Sequence, residues 1–432
     1  MEICIFEDEY FEYFLPLTYT RPIYELKLGI YTLRERLSRV LGAVKYFFTR
    51  EYLMEVFKEE LLAKGFKLVK VNPEELPEEV LIVNGRLVPN NEFLNYLMDK
   101  YSKYKEFVFM KNGVLVAAKL KRVEIVDFLK KQKIKELLKS LKKRSIEVFE
   151  VKAELLEYPW ELVRDNPMYM AKDLENHGDF RLLGEVADTA VLYSKEKIHI
   201  GENAVVEDYV VLDARNGPIY IEDGVLVKTH SVIRGPTYIG KNSVITEFAK
   251  LREGSNIGES CGVGGEVVNL IMHGFVNKYH EGFIGRSYIG EWVNLGASTV
   301  TSDLKNTYGT IRFEIKGERV DTGLRKLGSF IGDMVRTAIG TKIYTGKKIG
   351  VAAQLYGIIA VNVPSFTIYA KSLGAKPTEV YLESVINTQR KFMSSRKMNM
   401  SKNYEALIKK LFEITERERR LFGVKKGAFK LT

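Results

Sequence analysis

The sequence predicts an α/β domain, then a parallel β-helix of six-residue repeats, then a helical tail. Three observations carry this. From Ile221 to Val263 an aliphatic residue stands at every sixth position: Ile221, Val227, Ile233, Ile239, Ile245, Leu251, Ile257 and Val263. A period of six fits neither the 3.6-residue helix nor alternation that reverses at a hairpin; it fits the short strands and tight corners of a β-helix. Upstream of the repeat, short apolar runs alternate with helical periodicities, the mark of a sheet covered by helices. Downstream, Tyr404, Leu407, Ile408, Leu411 and Phe412 line one face of an amphipathic helix. The boundaries read as 1–180, 181–364 and 365–432.

In the first segment Ile3 and Ile5 begin a strand, and Ile30 to Leu41 reads as a helix stopped by Gly42. Tyr52 to Leu62 repeats that pattern and stops near Gly65. Leu81-Ile82-Val83 is a buried-strand run. Phe107 to Met110 and Val114 to Ala118 flank Asn112-Gly113, a hairpin signal. A basic helix is expected over Glu124 to Lys143. The repeat is clear from Ile198, slips by three residues around Asn216-Gly217, and breaks into loops at 266–282 and 303–328. It resumes at Ile331, Ile343, Ile349 and Leu355. Glycines such as Gly240, Gly258 and Gly264 follow inward positions and suit the corners. The tail is expected to pack on the β-helix or on a neighbouring subunit.

Net charge is +10, from 66 basic and 56 acidic residues. A spread surplus without a nucleic-acid motif points to phosphorylated small molecules rather than to nucleic acid. No run approaches the ~20 apolar residues of a membrane span, and MEICIFEDEY lacks the apolar core of a signal peptide. Cys4 and Cys261 are the only cysteines, in keeping with a reducing cytoplasm.

Residues 277–299 read NKYHEGFIGRSYIGEWVNLGAST. This resembles the acetyltransferase half of the bifunctional N-acetylglucosamine-1-phosphate uridylyltransferase/glucosamine-1-phosphate N-acetyltransferase family. The resemblance rests on Lys278 (shifted by one), His280, Phe283, Ile284, Gly285, Asn294, Leu295, Gly296 and Ala297, and upstream on Ala249-Lys250-Leu251-Arg252-Glu253-Gly254. It implies a left-handed β-helix, acetyl-CoA as co-substrate and a homotrimer. His280 is the candidate general base, since an imidazole takes the proton of an attacking amine near neutral pH. Arg252 is the candidate phosphate holder, its planar fork matching phosphate oxygens. Lys278, Phe283 and Asn294 are candidate acceptor contacts, and Ala297 faces the cofactor. Asp303 stands where the family has an acceptor-positioning asparagine, and no lysine lies between Glu266 and His273, where the family has a second phosphate-binding one.

Near the start, Leu15 to Pro22 (LPLTYTRP), Asn84-Gly85-Arg86, and Gly290 to Gly296 (GEWVNLG) resemble a divergent branch of the same family. The resemblance implies a nucleotidyltransferase-like first domain that joins a sugar 1-phosphate, glucosamine-derived, to an NTP, UTP by analogy, with Mg²⁺. Arg21, Lys27 and Arg86 are then candidate charge donors to the triphosphate, Asn84 and Gly85 substrate contacts, and Asp165 and Asn166 metal ligands. The Gly-rich phosphate loop is replaced by FEDEYFEYF, and Asn84 stands where an aspartate is common. Three alternatives remain: nucleotidyl transfer only, with the β-helix for assembly or regulation; a non-catalytic assembly protein; and a zinc hydratase, with His230, His273 and His280 converging between subunits.

Overall fold

The computed structural model describes all residues except Arg122–Glu124, Lys142, Ser145, Leu431 and Thr432, and divides into two units. The first comprises Met1–Phe14, Thr20–Leu26 and Tyr31–Pro159; the second comprises Leu15–Tyr19, Lys27–Ile30 and Trp160–Thr432.

In the first unit seven strands form one sheet, in the order Glu147–Glu150, Phe107–Lys111, Val114–Lys121, Glu79–Asn84, Ile3–Phe6, Tyr46–Phe48, Lys70–Val71. Val114–Lys121 runs antiparallel to both neighbours and the remaining pairs are parallel. The hairpin at Asn112-Gly113 forms because both residues take positive φ, 49° and 80°. The first helix, Leu33–Leu41, starts at a Thr32–Glu35 capping box and ends at Gly42. The basic helix expected over 124–143 is two helices, Ile125–Lys130 and Ile134–Leu141, parted where Gln132 takes a left-handed φ of 50°. Glu124, the expected start, lies outside the described residues. Ile125, Leu129, Ile134 and Leu137 bury against Val80, Ile82 and Val108 of the sheet.

The second unit is a left-handed parallel β-helix of about 10 turns with three faces. All eight residues from Ile221 to Val263 in the six-residue register are fully buried. One full turn is 18 residues, as Ile245 pairs with Val263, but Val263 then pairs with Lys278, only 15 residues on. Residues 266–282 are therefore not a loop. They hold the strands Glu266–Val268, Leu270–Gly274 and Asn277–Lys278, and the hexad is lost because the turn is three residues shorter. The insertion at 303–328 carries its own hairpin, Arg312–Ile315 with Glu318–Asp321.

Thr367–Tyr369 still pairs with the turn before it, so the tail helices begin later than 365, at Leu382–Ser395, Lys402–Ile414 and Glu416–Phe422. The expected tail face is buried at Leu407, Ile408 and Leu411, and Phe412 meets Phe366 edge-on at 5.2 Å. From Trp160 on, the helix Pro159–His177 groups with the β-helical unit. Its Met170 and Leu174 bury against Tyr220 of a β-helix strand. No helix among the described residues is long and apolar enough to cross a membrane.

Candidate functional site

On one face of the β-helix, successive turns stack Lys250, Glu266 and Phe283 in register, two positions before Arg252, Val268 and Gly285. The Arg252 guanidinium is loosely held, with Glu266 at 3.3 Å and Glu253 at 3.4 Å, while its buried Nε has no acceptor. Such a fork is open to a better anion. A Cβ on Gly285 would sit 2.7 Å from the Phe283 ring and 2.8 Å from the Asp303 carboxylate, so glycine is what lets ring and carboxylate close on the backbone. Asp303 is bound by Arg286. Arg252, Phe283 and Asp303 therefore share a face, and His280 lies on the corner that leads into it, solvent-exposed. Glu266 and Arg286 were missed from sequence; Arg286 had one signal, a charge directly after Gly285.

Lys278 is not on that face. It occupies the inward position after Val263, is 1% exposed, and donates from Nζ to the His280 carbonyl. The expectation of an acceptor contact gives way to a buried amine that anchors the His280 corner. Burial drives its pKa down to about 8. The folded chain thus sheds this proton more readily than the unfolded one. Stability rises with pH between about 8 and the ordinary 10.5 of lysine, and the full cost is present below pH 8. Lys278→Met is accordingly expected to stabilise the protein at neutral pH by on the order of 2–3 kcal/mol after loss of one hydrogen bond, and the gain shrinks toward pH 10.5. If His280 is the base, the same change slows acetyl transfer by as much as ~10²-fold through misplacement. Urea melts at several pH values together with turnover check both; a destabilised variant at neutral pH contradicts the buried-charge account.

Asn294 sits on the adjoining face, in register with Asn277 and Arg336, and accepts from Asn277 Nδ2 at 3.4 Å. Ala297 is at the corner beyond it, its carbonyl accepting from Gly340. The three histidines of the hydratase alternative do not share a face: His273 pairs with Glu291 at 2.9 Å on one strand face, whereas His230 stacks on Phe248 at another corner.

In the first unit, Glu7, Asp8, Asn84 and Arg86 follow or end the parallel strands Ile3–Phe6 and Glu79–Asn84, the side where open α/β sheets bind ligands. Here the charges are already matched. Arg86 grips Asp8 at 2.6 and 2.9 Å, under the Tyr10 ring, and donates to the Leu156 carbonyl. Arg50 grips Glu7 at 2.9 and 3.0 Å and donates to the Arg21 carbonyl at 2.8 Å. Asn84 donates to Asp8 and to the Leu115 carbonyl and accepts from Arg86 N. Gly85 packs where a Cβ would lie 2.6 Å from Tyr24. Arg86, expected as a charge donor, and Asn84, expected as a substrate contact, thus stand in a buried ion-pair network, because FEDEY supplies carboxylates where a phosphate loop would supply amides.

Lys27 belongs to the other unit, donating from Nζ to the His273 carbonyl at 2.9 Å, while its backbone N–H meets Tyr288 Oη. The Mg²⁺ implied by the resemblance does not fit its expected ligands. Asp165 is forked by Arg164 at 2.7 Å. Asn166 is fully buried, donating to the Gly254 carbonyl and accepting from Asn256. Among the described residues no three His, Cys, Asp or Glu side chains converge on a metal position.

Residues 3–179 match the sugar nucleotidyl transferase family. A bifunctional sugar-1-phosphate nucleotidylyltransferase/acetyltransferase of Sulfurisphaera tokodaii is 38% identical over 33% of this chain and 38% of that protein. The bifunctional protein GlmU of Methanococcus aeolicus is 24% identical over 73% of this chain and 84% of its own length, and that of Methanocaldococcus jannaschii 26% identical over the same shares. The match to the first relative thus spans under half of its length.

Proposed function

We propose, for a chain whose residues 3–179 match the sugar nucleotidyl transferase family and whose relatives are named as bifunctional, a sugar-nucleotide enzyme with two reactions. The β-helix transfers acetyl from acetyl-CoA to the amine of an amino-sugar 1-phosphate, glucosamine 1-phosphate by resemblance. The first domain joins the sugar 1-phosphate to an NTP, UTP by resemblance. The observation that carries the first reaction is the shared face of Arg252, Phe283 and Asp303 beside the exposed His280.

There the loosely held Arg252 takes the acceptor phosphate and the Phe283 ring packs on the sugar. His280 removes the proton as the amine attacks the thioester carbonyl; the C–S bond breaks and coenzyme A leaves as thiol. The second reaction is supported by the match of residues 3–179 to the sugar nucleotidyl transferase family, not by the ligand geometry. Purified protein with acetyl-CoA and amino-sugar 1-phosphates, then with NTPs and Mg²⁺, scored for free thiol and pyrophosphate, tests each half separately. Pyrophosphate without thiol release favours the nucleotidyltransferase-only reading.

The reading includes a homotrimer, with sites completed between β-helices. Light scattering is expected to give three times the chain mass; a stable monomer at micromolar concentration removes that part.

A further inference from the structure

The hairpin Arg312–Asp321 and the last turns of the β-helix enclose a cleft of about 720 Å³ that the acceptor face does not use. Four cations line it: Lys305, Arg312, Arg319 and Lys347. Its two carboxylates are already engaged. Glu314 accepts from Asn362 Nδ2 at 3.1 Å and faces Lys348, and Asp321 accepts from Thr310 Oγ1 and Gly323 N. Lys305 donates to the Thr310 carbonyl, whereas Arg312, Arg319 and Lys347 have no ion-pair partner among the described residues.

Lys347 is half-buried, and burial first, then the Arg319 charge, holds its ammonium below the ordinary lysine value against the pull of Glu314. Like charges gathered in a concave site are costly unless an anion enters. Facing them, Val361 and Phe422 offer an exposed apolar wall, and Thr310 and Thr345 offer hydroxyls. The size falls within the range of small-molecule sites.

From this we infer that the cleft binds a nucleotide carrying two or more phosphates, phosphates on the Arg319–Lys347 side and base against Val361 and Phe422. Its ligand could come from two sources, coenzyme A or a free nucleoside diphosphate, and the shared chemistry is the phosphorylated nucleotide. The inference does not depend on acetyl transfer, since binding alone reads it.

The test is calorimetry on the full chain at low salt with coenzyme A, dephospho-coenzyme A, UDP and uridine. Coenzyme A or UDP is expected to bind and to weaken as salt rises. The double change Arg319→Glu with Lys347→Gln is expected to cost about a hundredfold in affinity. Arg319→Glu alone, at an exposed position, provides a second variant that leaves the β-helix core untouched. Preference for coenzyme A over its dephospho form and UDP identifies the first source; equal or better binding of UDP identifies the second. The inference is overturned by no binding at millimolar ligand, by affinity unmoved in both variants, or by uridine binding as tightly as UDP. Thiol release does not enter any of these outcomes, so failure of the acetyltransferase reading leaves the test intact.

Discussion

Replacing His280 with alanine is expected to lower acetyl transfer by ~10²–10⁴-fold, the usual cost of losing a positioned general base, while pyrophosphate release continues. The fold is expected to survive, because His280 is exposed on a corner and the grip on that corner is through its backbone carbonyl, which alanine keeps. Arg252→Ala contrasts with it: losing a charged hydrogen-bonding partner raises acceptor KM about ten- to hundredfold with little change in kcat. Normal acetylation by His280→Ala would move the base elsewhere.

The second large effect is on stability. Arg86→Met leaves Asp8 buried without its counter-charge and is expected to cost ~3–5 kcal/mol in the first unit. The double variant Asp8→Leu, Arg86→Met is expected to regain most of that, because the pair together can be exchanged for packing. Urea unfolding of the single and double variants reads this directly. Under the role Arg86 was assigned from sequence, a donor to the triphosphate, Arg86→Met would instead fold normally and lose pyrophosphate release. Unchanged stability with lost release would restore that role.

The β-helix was legible because a six-residue period survives any one substitution; the fully buried positions from Ile221 to Val263 announce it. What failed there was the phase. A turn shortened to 15 residues hides three strands and makes inward-facing Lys278 look like a surface contact. Sequence also grouped Arg252, Phe283 and Asp303 by motif, and the structure sets them on one face. In the first domain residue type does not discriminate, because a cation near a strand end reads the same whether it awaits a phosphate or grips a carboxylate. Only the pairing of Asp8 with Arg86, 78 positions apart, decides it, and no local pattern encodes that.

Lys27–Ile30 belongs to the β-helical unit although it lies inside the first unit's stretch of chain, and Leu15–Tyr19 does the same. Ile30 N–H donates to Asp173, and the Gly29 carbonyl accepts from Asn256. Heredity is constrained by this weave. A gene cut once near codon 160 would strip the β-helical unit of Leu15–Tyr19 and Lys27–Ile30 while leaving every residue of the first unit in the upstream piece. One recombination event therefore cannot hand on the β-helical unit intact without also carrying the start of the stretch that builds the first unit.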